Sequence, residues 1–386
     1  MARMKVFVFD PIAAGVTPAR RLPGTLRRQG EMLFQALLAD LGALSGIDVL
    51  TTASPGLAAS AAEAAVDAAV VARVVDITAA SAASHVGGGP ARVQSPAAPD
   101  AQPAMPSGVE VPPQPPQLRS LSPEAHRFGA QFAAGLQAAD AVWPLASESD
   151  GMLEQLSRAV LRGKRILLGS APGAVEIVAS KLELARVLAA GGVAVVATYS
   201  PHAALPHDSG PWVVKPDDGA GCLDTRLFSD RAAALAWIRA NAADRYVLQP
   251  FVAGKLGSLS LICCDGNARV LACNQERMAM RDNRFHFLGS VVNGLSDGDG
   301  MLARLAQQVA AAIPTLWGYV GVDFVLTAHG AMVLDVNPRL TAAYAGLHAS
   351  TGCNPAGLVL DLLNGTAAMG APVGMRRAVS VDVGTP

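Results

Sequence analysis

Apolar residues dominate Met4–Phe9, a short run that ends at Asp10 and predicts a strand, followed by a loop holding Gly15, Pro18, Pro23 and Gly24. From Leu26 to Leu44 the period changes: Leu33, Leu37, Leu41 and Leu44 recur at helical spacing, and the segment from Gly46 to Thr51 predicts a second strand. Strand, helix and strand with short connections imply a parallel sheet covered by helices. Ala58 to Val71 is expected to add a helix. Between about residues 79 and 121 the periodicity disappears, leaving Ala, Ser, Gly, Gln and runs such as Pro112-Pro113-Gln114-Pro115-Pro116. So few large apolar residues cannot offset the entropy of ordering, and the stretch is expected to be a disordered insert in the first domain. Pattern resumes with a helix over Pro123 to Leu136, a strand over Ala139 to Pro144, a helix to Arg162 and a strand over Arg165 to Leu168, so the first domain ends near residue 170. A helix is expected over Val178 to Leu188 and a strand over Ala194 to Thr198. From Trp212 onward strands dominate, several joined by turn signals such as Asp265-Gly266-Asn267 and His329-Gly330, which predicts antiparallel pairing.

Composition narrows the function classes. The 386 residues suffice for two or three domains, and 51% hydrophobic against 16% charged residues supports a sizeable core. Thirty Lys and Arg against 31 Asp and Glu give no bulk field for nucleic acid or an anionic membrane, which leaves small molecules as the expected ligands. The most apolar stretch, Ala64 to Val75, is interrupted by Asp67 and Arg73 and falls short of a bilayer span. With no apolar leader ahead of the first strand, a cytoplasmic location is expected. Cys222, Cys263, Cys264, Cys273 and Cys353 show no metal-binding or disulfide spacing and read as buried or incidental thiols.

Three segments carry candidate chemistry. In Trp212-Val213-Val214-Lys215-Pro216-Asp217-Asp218-Gly219-Ala220-Gly221 a strand delivers a lysine to a small-residue loop whose amides can close over phosphate oxygens. Read alone, it also fits a solvated hairpin. In Tyr246-Val247-Leu248-Gln249-Pro250-Phe251-Val252 an apolar strand runs into extended backbone, which can meet an adenine edge through one carbonyl and one amide or serve as an ordinary edge strand. The third segment pairs the strand holding Asp323 with the strand holding Asp335 and Asn337. Side chains alternate along a strand, so Asp335 and Asn337 share a face and the hairpin can bring Asp323 beside them: hard oxygen ligands suited to magnesium held against phosphates. Arg339, two residues on, can hold a phosphate or carboxylate bidentately.

In that order, the lysine with its glycine loop, the Gln-Pro-Phe-Val turn and Asp…Asp-x-Asn-Pro-Arg resemble the ATP-grasp ligases, over roughly residues 140 to 365. Ser180-Lys181 at the head of a helix resembles that family's entry to its nucleotide-binding half. The phrases from Arg28 to Leu33, from Ala141 to Leu153 and at Leu168-Gly169-Ser170 resemble the branch containing the tyramine to glutamate ligase of methanofuran biosynthesis, part of one-carbon metabolism.

The resemblance implies an α/β and α+β ATP-grasp fold: an N-terminal parallel α/β, or pre-ATP-grasp, domain over 1–170 and two α+β subdomains, 171–255 and 256–386, that enclose ATP. It implies phosphate contacts from Lys181 and Lys215, a covering loop of Asp218, Gly219, Ala220 and Gly221, and adenine contacts at the Gln249 carbonyl and the Val252 amide. It further implies magnesium or manganese on Asp323, Asp335 and Asn337, and an acyl phosphate steadied by Arg339. Asp335 stands where the family commonly has glutamate, and the acid that often holds the ribose is missing from Gly254-Lys255-Leu256-Gly257. Arg277, Arg281 and Arg284 read equally as carboxylate binders or as a solvated basic hairpin; His286, His329 and His348 read as structural. The implied activity is an ADP-forming carboxylate–amine ligase with small-molecule acid and amine substrates. Another amino-acid or peptide pair, a non-catalytic ATP-binding regulator and a homodimeric state stay open.

Overall fold

The computed structural model describes residues 3–12, 23–52, 74–76, 123–206, 210–241, 243–365 and 376–384. The helix expected over Ala58 to Val71 and the whole of the 79–121 insert lie outside them. Strand β1 (Met4–Phe9) has Val6, Phe7, Val8 and Phe9 all fully buried. Alternation sends them to two cores: Val6 and Val8 pack with Leu33, Phe34 and Leu37 of helix α1 (Gly24–Gly42), while Phe7 and Phe9 face Phe132 of α2 (Pro123–Ala138) and Leu153, Leu156 and Val160 of α3 (Met152–Arg162). A strand buried on both faces needs helices on both, and β1 joins β2 (Ile47–Thr51), β3 (Val74–Asp76), β4 (Ala141–Pro144) and β5 (Ile166–Leu167) in a parallel sheet of order β3-β2-β1-β4-β5. The order reverses direction between β1 and β4, which opens a crevice beyond their carboxyl ends. The loop carrying Glu148 leaves β4 at that point.

The sequence pattern expects one helix over Val178 to Leu188, but there are two. Ser180 has extended backbone and its hydroxyl accepts from the Glu183 amide at 3.2 Å, so it caps α5 (Lys181–Ala190) and separates it from α4 (Pro172–Ala179). This agrees with Ser180-Lys181 as a helix head. The strand expected over Ala194 to Thr198 forms no ladder: Val195 bridges Val333 and Tyr199 bridges Leu248 at single points. Those partners lie on the two ends of the second sheet, whose order is β13 (Gly330–Asn337), β12 (Gly318–Thr327), β9 (Lys255–Cys264), β10 (Asn267–Arg281), β11 (Arg284–Val292), β7 (Arg226–Phe228), β6 (Trp212–Pro216) and β8 (Tyr246–Pro250), with β14 (Val379–Asp382) on β11. The segment therefore crosses between opposite edges of a curled sheet instead of running along either. All the ladders of this sheet are antiparallel, as the turn signals imply.

Alternation also sorts the second sheet's faces. Leu259, Leu261, Val320, Val322, Phe324 and Val333 pack against α5 and α7 (Met301–Ala312), and the residues between them, Ser258, Ser260, Tyr319, Asp323 and Asp335, take the other side. Helix α6 (Arg231–Ala240) covers β6 through Ala234 and Ile238. Helices α8 (Tyr344–Thr351) and α9 (Pro355–Leu363) pack against α1. There Asp40 of α1 accepts from the Tyr344 hydroxyl at 2.9 Å and sits 2.7 Å from His348 Nδ1, while the Asn354 side-chain amide donates to the Asp40 carbonyl. Among the described residues, no helix is long and apolar enough to cross a membrane.

Candidate functional site

The polar face of β12 and β13 forms one wall of a cavity of about 320 Å³, which strands β6, β8, β9, β10 and β11 also line. The ladder places Asp323 directly opposite Asp335, and Asn337 lies opposite Gly321. Asn337 donates to Asp323 Oδ2 at 3.1 Å and accepts from Arg339 Nη2 at 3.1 Å. Arg339 Nε donates to Glu148 Oε2 at 2.9 Å, a contact between the end of β13 and the crevice loop of the parallel sheet. Burial opposes the charge on Arg339, but Glu148, Asp335 and Asp323 together hold the guanidinium above its ordinary pKa.

Lys181 occupies the first turn of α5, where the helix dipole disfavours a cation. Its position is set by other partners: the ammonium donates to the carbonyls of Gly219 at 2.6 Å and Asp217 at 3.3 Å and lies 3.7 Å from Asp335. Lys215 reaches the Leu334 carbonyl at 3.2 Å from β6. Desolvation, helped by Lys181, pulls its pKa down to about 8 against the attraction of Asp335, Cys222 and Asp323. Desolvation and the charges of Glu276 and Asp335 push Asp323 up to about 8. The site thus crowds acids and bases in a dry space, the arrangement that functional sites use to shift pKa values.

The remaining sequence candidates divide. Gly219, Ala220, Gly221, Gln249 and Val252 line the cavity; Asp218 does not, and its carboxylate accepts from the Asp150 amide at 2.8 Å. Gln249 is buried, with its amide on Thr198 Oγ1 at 2.8 Å. None of Arg277, Arg281 and Arg284 lines the cavity: Arg277 pairs with Asp382 of β14, and the other two are exposed at the β10–β11 hairpin. Cys222 lines the cavity next to the glycine loop, and desolvation and Asp323 push its thiol up to about 12, so it is not a ready nucleophile.

Sequence reading passed over Glu276, Ser258, Ser290, Glu148 and Gln29. Glu276 lines the cavity from β10, accepting from Ser258 Oγ at 2.5 Å and Ser290 Oγ at 2.8 Å; burial raises its pKa against those bonds. Glu276 stands between Gln275 and Arg277, so local hydropathy does not single it out.

A metal can be tested against this donor set. Among the described residues no three His, Cys, Asp or Glu side chains converge as a cage. Two carboxylates and one amide oxygen on a single sheet face fit a hard cation that takes its other ligands from phosphates and water, and among the described residues Asp323 forms no ion pair.

A pre ATP-grasp 3 domain model matches residues 110–175, and an ATP-grasp domain model matches residues 178–343. The chain belongs to the ATP-grasp superfamily. Its fold is the ATP-grasp fold, with the parallel sheet in the pre-ATP-grasp region. Solved structures agree on that fold. A protein assigned to the superfamily from Archaeoglobus fulgidus is 19% identical, with a TM-score of 0.63 over 98% of this chain and 92% of its own. An L-amino acid ligase from Bacillus licheniformis is 14% identical, with a TM-score of 0.59 over 97% and 78%. The biotin carboxylase domain of Hydrogenobacter thermophilus 2-oxoglutarate carboxylase, solved with MgADP, ADP and bicarbonate, is 13% identical, with a TM-score of 0.59 over 95% and 70%. No curated protein sequence matches the chain significantly. Within this ATP-grasp chain, the cavity's lining residues other than Gln29 all lie within the ATP-grasp match, and Arg339 ties the cavity to Glu148 of the pre-ATP-grasp region.

Proposed function

We propose that this protein is an ATP-dependent, ADP-forming carboxylate–amine ligase that works through an acyl phosphate, and that it joins glutamate to tyramine or a tyrosine-like amine in methanofuran-type cofactor biosynthesis. The observation that carries the ligase reading is the meeting of Lys181, Lys215, Asp323, Asp335, Asn337 and Arg339 around one cavity. A regulator that only bound nucleotide would gain nothing from setting the two acids opposite each other at the cavity wall. The substrate pair rests on the sequence phrases from Ala141 to Leu153 and from Arg28 to Leu33.

In this reading Lys181 and Lys215 neutralise the nucleotide phosphates while the Gly219-Ala220-Gly221 backbone covers them, and Gln249 and Val252 meet the adenine edge. Asp323, Asp335 and Asn337 would hold Mg2+ or Mn2+, which supplies positive charge between the phosphates. The acid's carboxylate oxygen attacks the terminal phosphorus and ADP leaves. The amine nitrogen, once its ammonium has given up a proton to solvent, attacks the acyl carbon; the C–N bond forms, phosphate departs with the electrons of the C–O bond, and the extra proton on nitrogen passes to that phosphate. Arg339 steadies the acyl phosphate, and Glu148 fixes the plane of its guanidinium. Positioning and charge do most of the work, since the protein forms no covalent bond of its own.

Incubating the protein with ATP, magnesium, glutamate and tyramine should release ADP in step with glutamyl-tyramine by mass detection. ADP with a different acid and amine would replace the substrate pair and keep the ligase. ATP binding without turnover on any pair would remove the ligase reading.

A further inference from the structure

The carboxylate of Glu276 is surplus to the set formed by Asp323, Asp335 and Asn337. It enters the cavity from β10, and two serine hydroxyls, Ser258 at 2.5 Å and Ser290 at 2.8 Å, fix both of its oxygens. Among the described residues no lysine or arginine forms an ion pair with it. Its neighbour Arg277 lies on the opposite side of the strand and is engaged by Asp382 and the Val381 carbonyl. An oriented carboxylate at a cavity wall, supplied with hydroxyl donors but no cation, is a receptor for a positive group brought by a ligand.

The surface beside it narrows the kind of ligand. Met278 follows Glu276 by two positions on the same strand face, Phe287 lies opposite Met278 across the ladder, and Phe285 follows on β11; all three are half-buried and line the cavity. Next to the carboxylate, then, is a thioether and two aromatic rings, a surface for an apolar or aromatic body. We propose that Glu276 binds the ammonium group of the amine substrate, with the body of that amine lying on Met278, Phe285 and Phe287. The assignment rests on the ligase reading and names the part of the cavity that selects the amine. Arg277, Arg281 and Arg284 all lie outside the cavity, so none of the three meets a carboxylate beside Glu276.

The test separates the two halves of the reaction. Hydroxylamine is a neutral nucleophile that traps an acyl phosphate as a hydroxamate without needing an ammonium receptor. With ATP, magnesium and glutamate, and with the other common amino acids in parallel, the wild-type protein should give hydroxamate with hydroxylamine and amide with tyramine. E276Q should raise the KM for tyramine about a hundredfold, while hydroxamate formation falls less than about tenfold, the effect expected for loss of one buried charge pair. Equal losses in both reactions, or an unchanged KM for tyramine, would overturn the assignment and leave the ligase intact. Wild-type protein that yields neither ADP nor hydroxamate with any acid would overturn the ligase reading and the amine site with it. A second measurement does not depend on the variant's folding: the alcohol analogue of tyramine, which lacks the ammonium, should inhibit the wild-type protein at least about thirtyfold less well than the protonated dimethyl analogue of tyramine. Equal inhibition by the two would also overturn the assignment.

Discussion

Asp40 is buried and Asp323 is half-buried at the cavity wall, and desolvation pushes both above the ordinary carboxylate range. What surrounds them differs. Asp40, between α1 and α8, is met by the Tyr344 hydroxyl and the His348 ring, groups that lower its pKa again. Asp323 faces Glu276 and Asp335, which raise it further, and has only the Asn337 amide and the charge of Arg339 in its favour. A fold completes the shell of an acid it uses to hold itself together and leaves incomplete the shell of an acid that is to meet something from outside.

The largest effect should come from breaking the incomplete site. Asp335→Ala is expected to lower turnover by at least about a thousandfold, by analogy with loss of a preorganised electrostatic group, while the melting temperature moves by only a few degrees. The mild effect on stability follows because the change removes a charge that repels Asp323, although Lys181 loses an ion pair; Lys181 keeps its carbonyl partners. Steady-state kinetics with a thermal melt checks both halves, and a folded variant with normal turnover would remove the metal assignment.

Breaking the completed shell should do the reverse. Asp40→Ala leaves the buried Tyr344 hydroxyl unpaired and should cost about 2–4 kcal/mol of stability, the cost of an orphaned polar group plus the lost bonds. Denaturant titration measures it, and kcat in the folded fraction should stay close to normal.

The smallest effect is a pH slope. The Asp40 pKa is raised in the folded state, so the folded state binds more protons than the unfolded state above pH 3.8, and stability falls as pH rises from there through the raised value. Asp40→Asn cannot titrate. The difference between wild-type and Asp40→Asn stability should therefore decline with rising pH over that window and then level off. A flat difference would show that Tyr344 and His348 fully offset the burial.

The contrast also explains what could be read from sequence. Asp335 and Asn337 stand two residues apart on β13, so strand alternation sets their relation, Arg339 follows just beyond the strand's end, and Asp323 joins them through a hairpin with a short turn. Lys215 and its glycine loop are likewise contiguous. Glu276 was not legible, because its place depends on β10 pairing with β9 and β11 and so on the register of three strands. Glu148 lies within the phrase from Ala141 to Leu153, but its place depends on Arg339, 191 positions away. The run from Ala194 to Thr198 misled in the other direction. Its apolar residues meet edge strands at single points, and hydropathy cannot distinguish a crossing from a ladder.

In the second sheet β7 meets β11 in one registered pair, Arg226 with Arg284, supported by backbone bonds from Leu227 to Asn283 and from Phe285 to Thr225. By comparison, β9 and β12 are paired along the whole of β9 apart from its last residue. Under a load, the joint between β7 and β11 yields first, because it has the fewest bonds to break. The strands beyond it, β6 and β8, carry Lys215, Gln249 and the start of the glycine loop, so this short joint is what separates them from the strands that bear the acids. In the proposed reading, that seam is the hinge at which the nucleotide contacts would part from the acids.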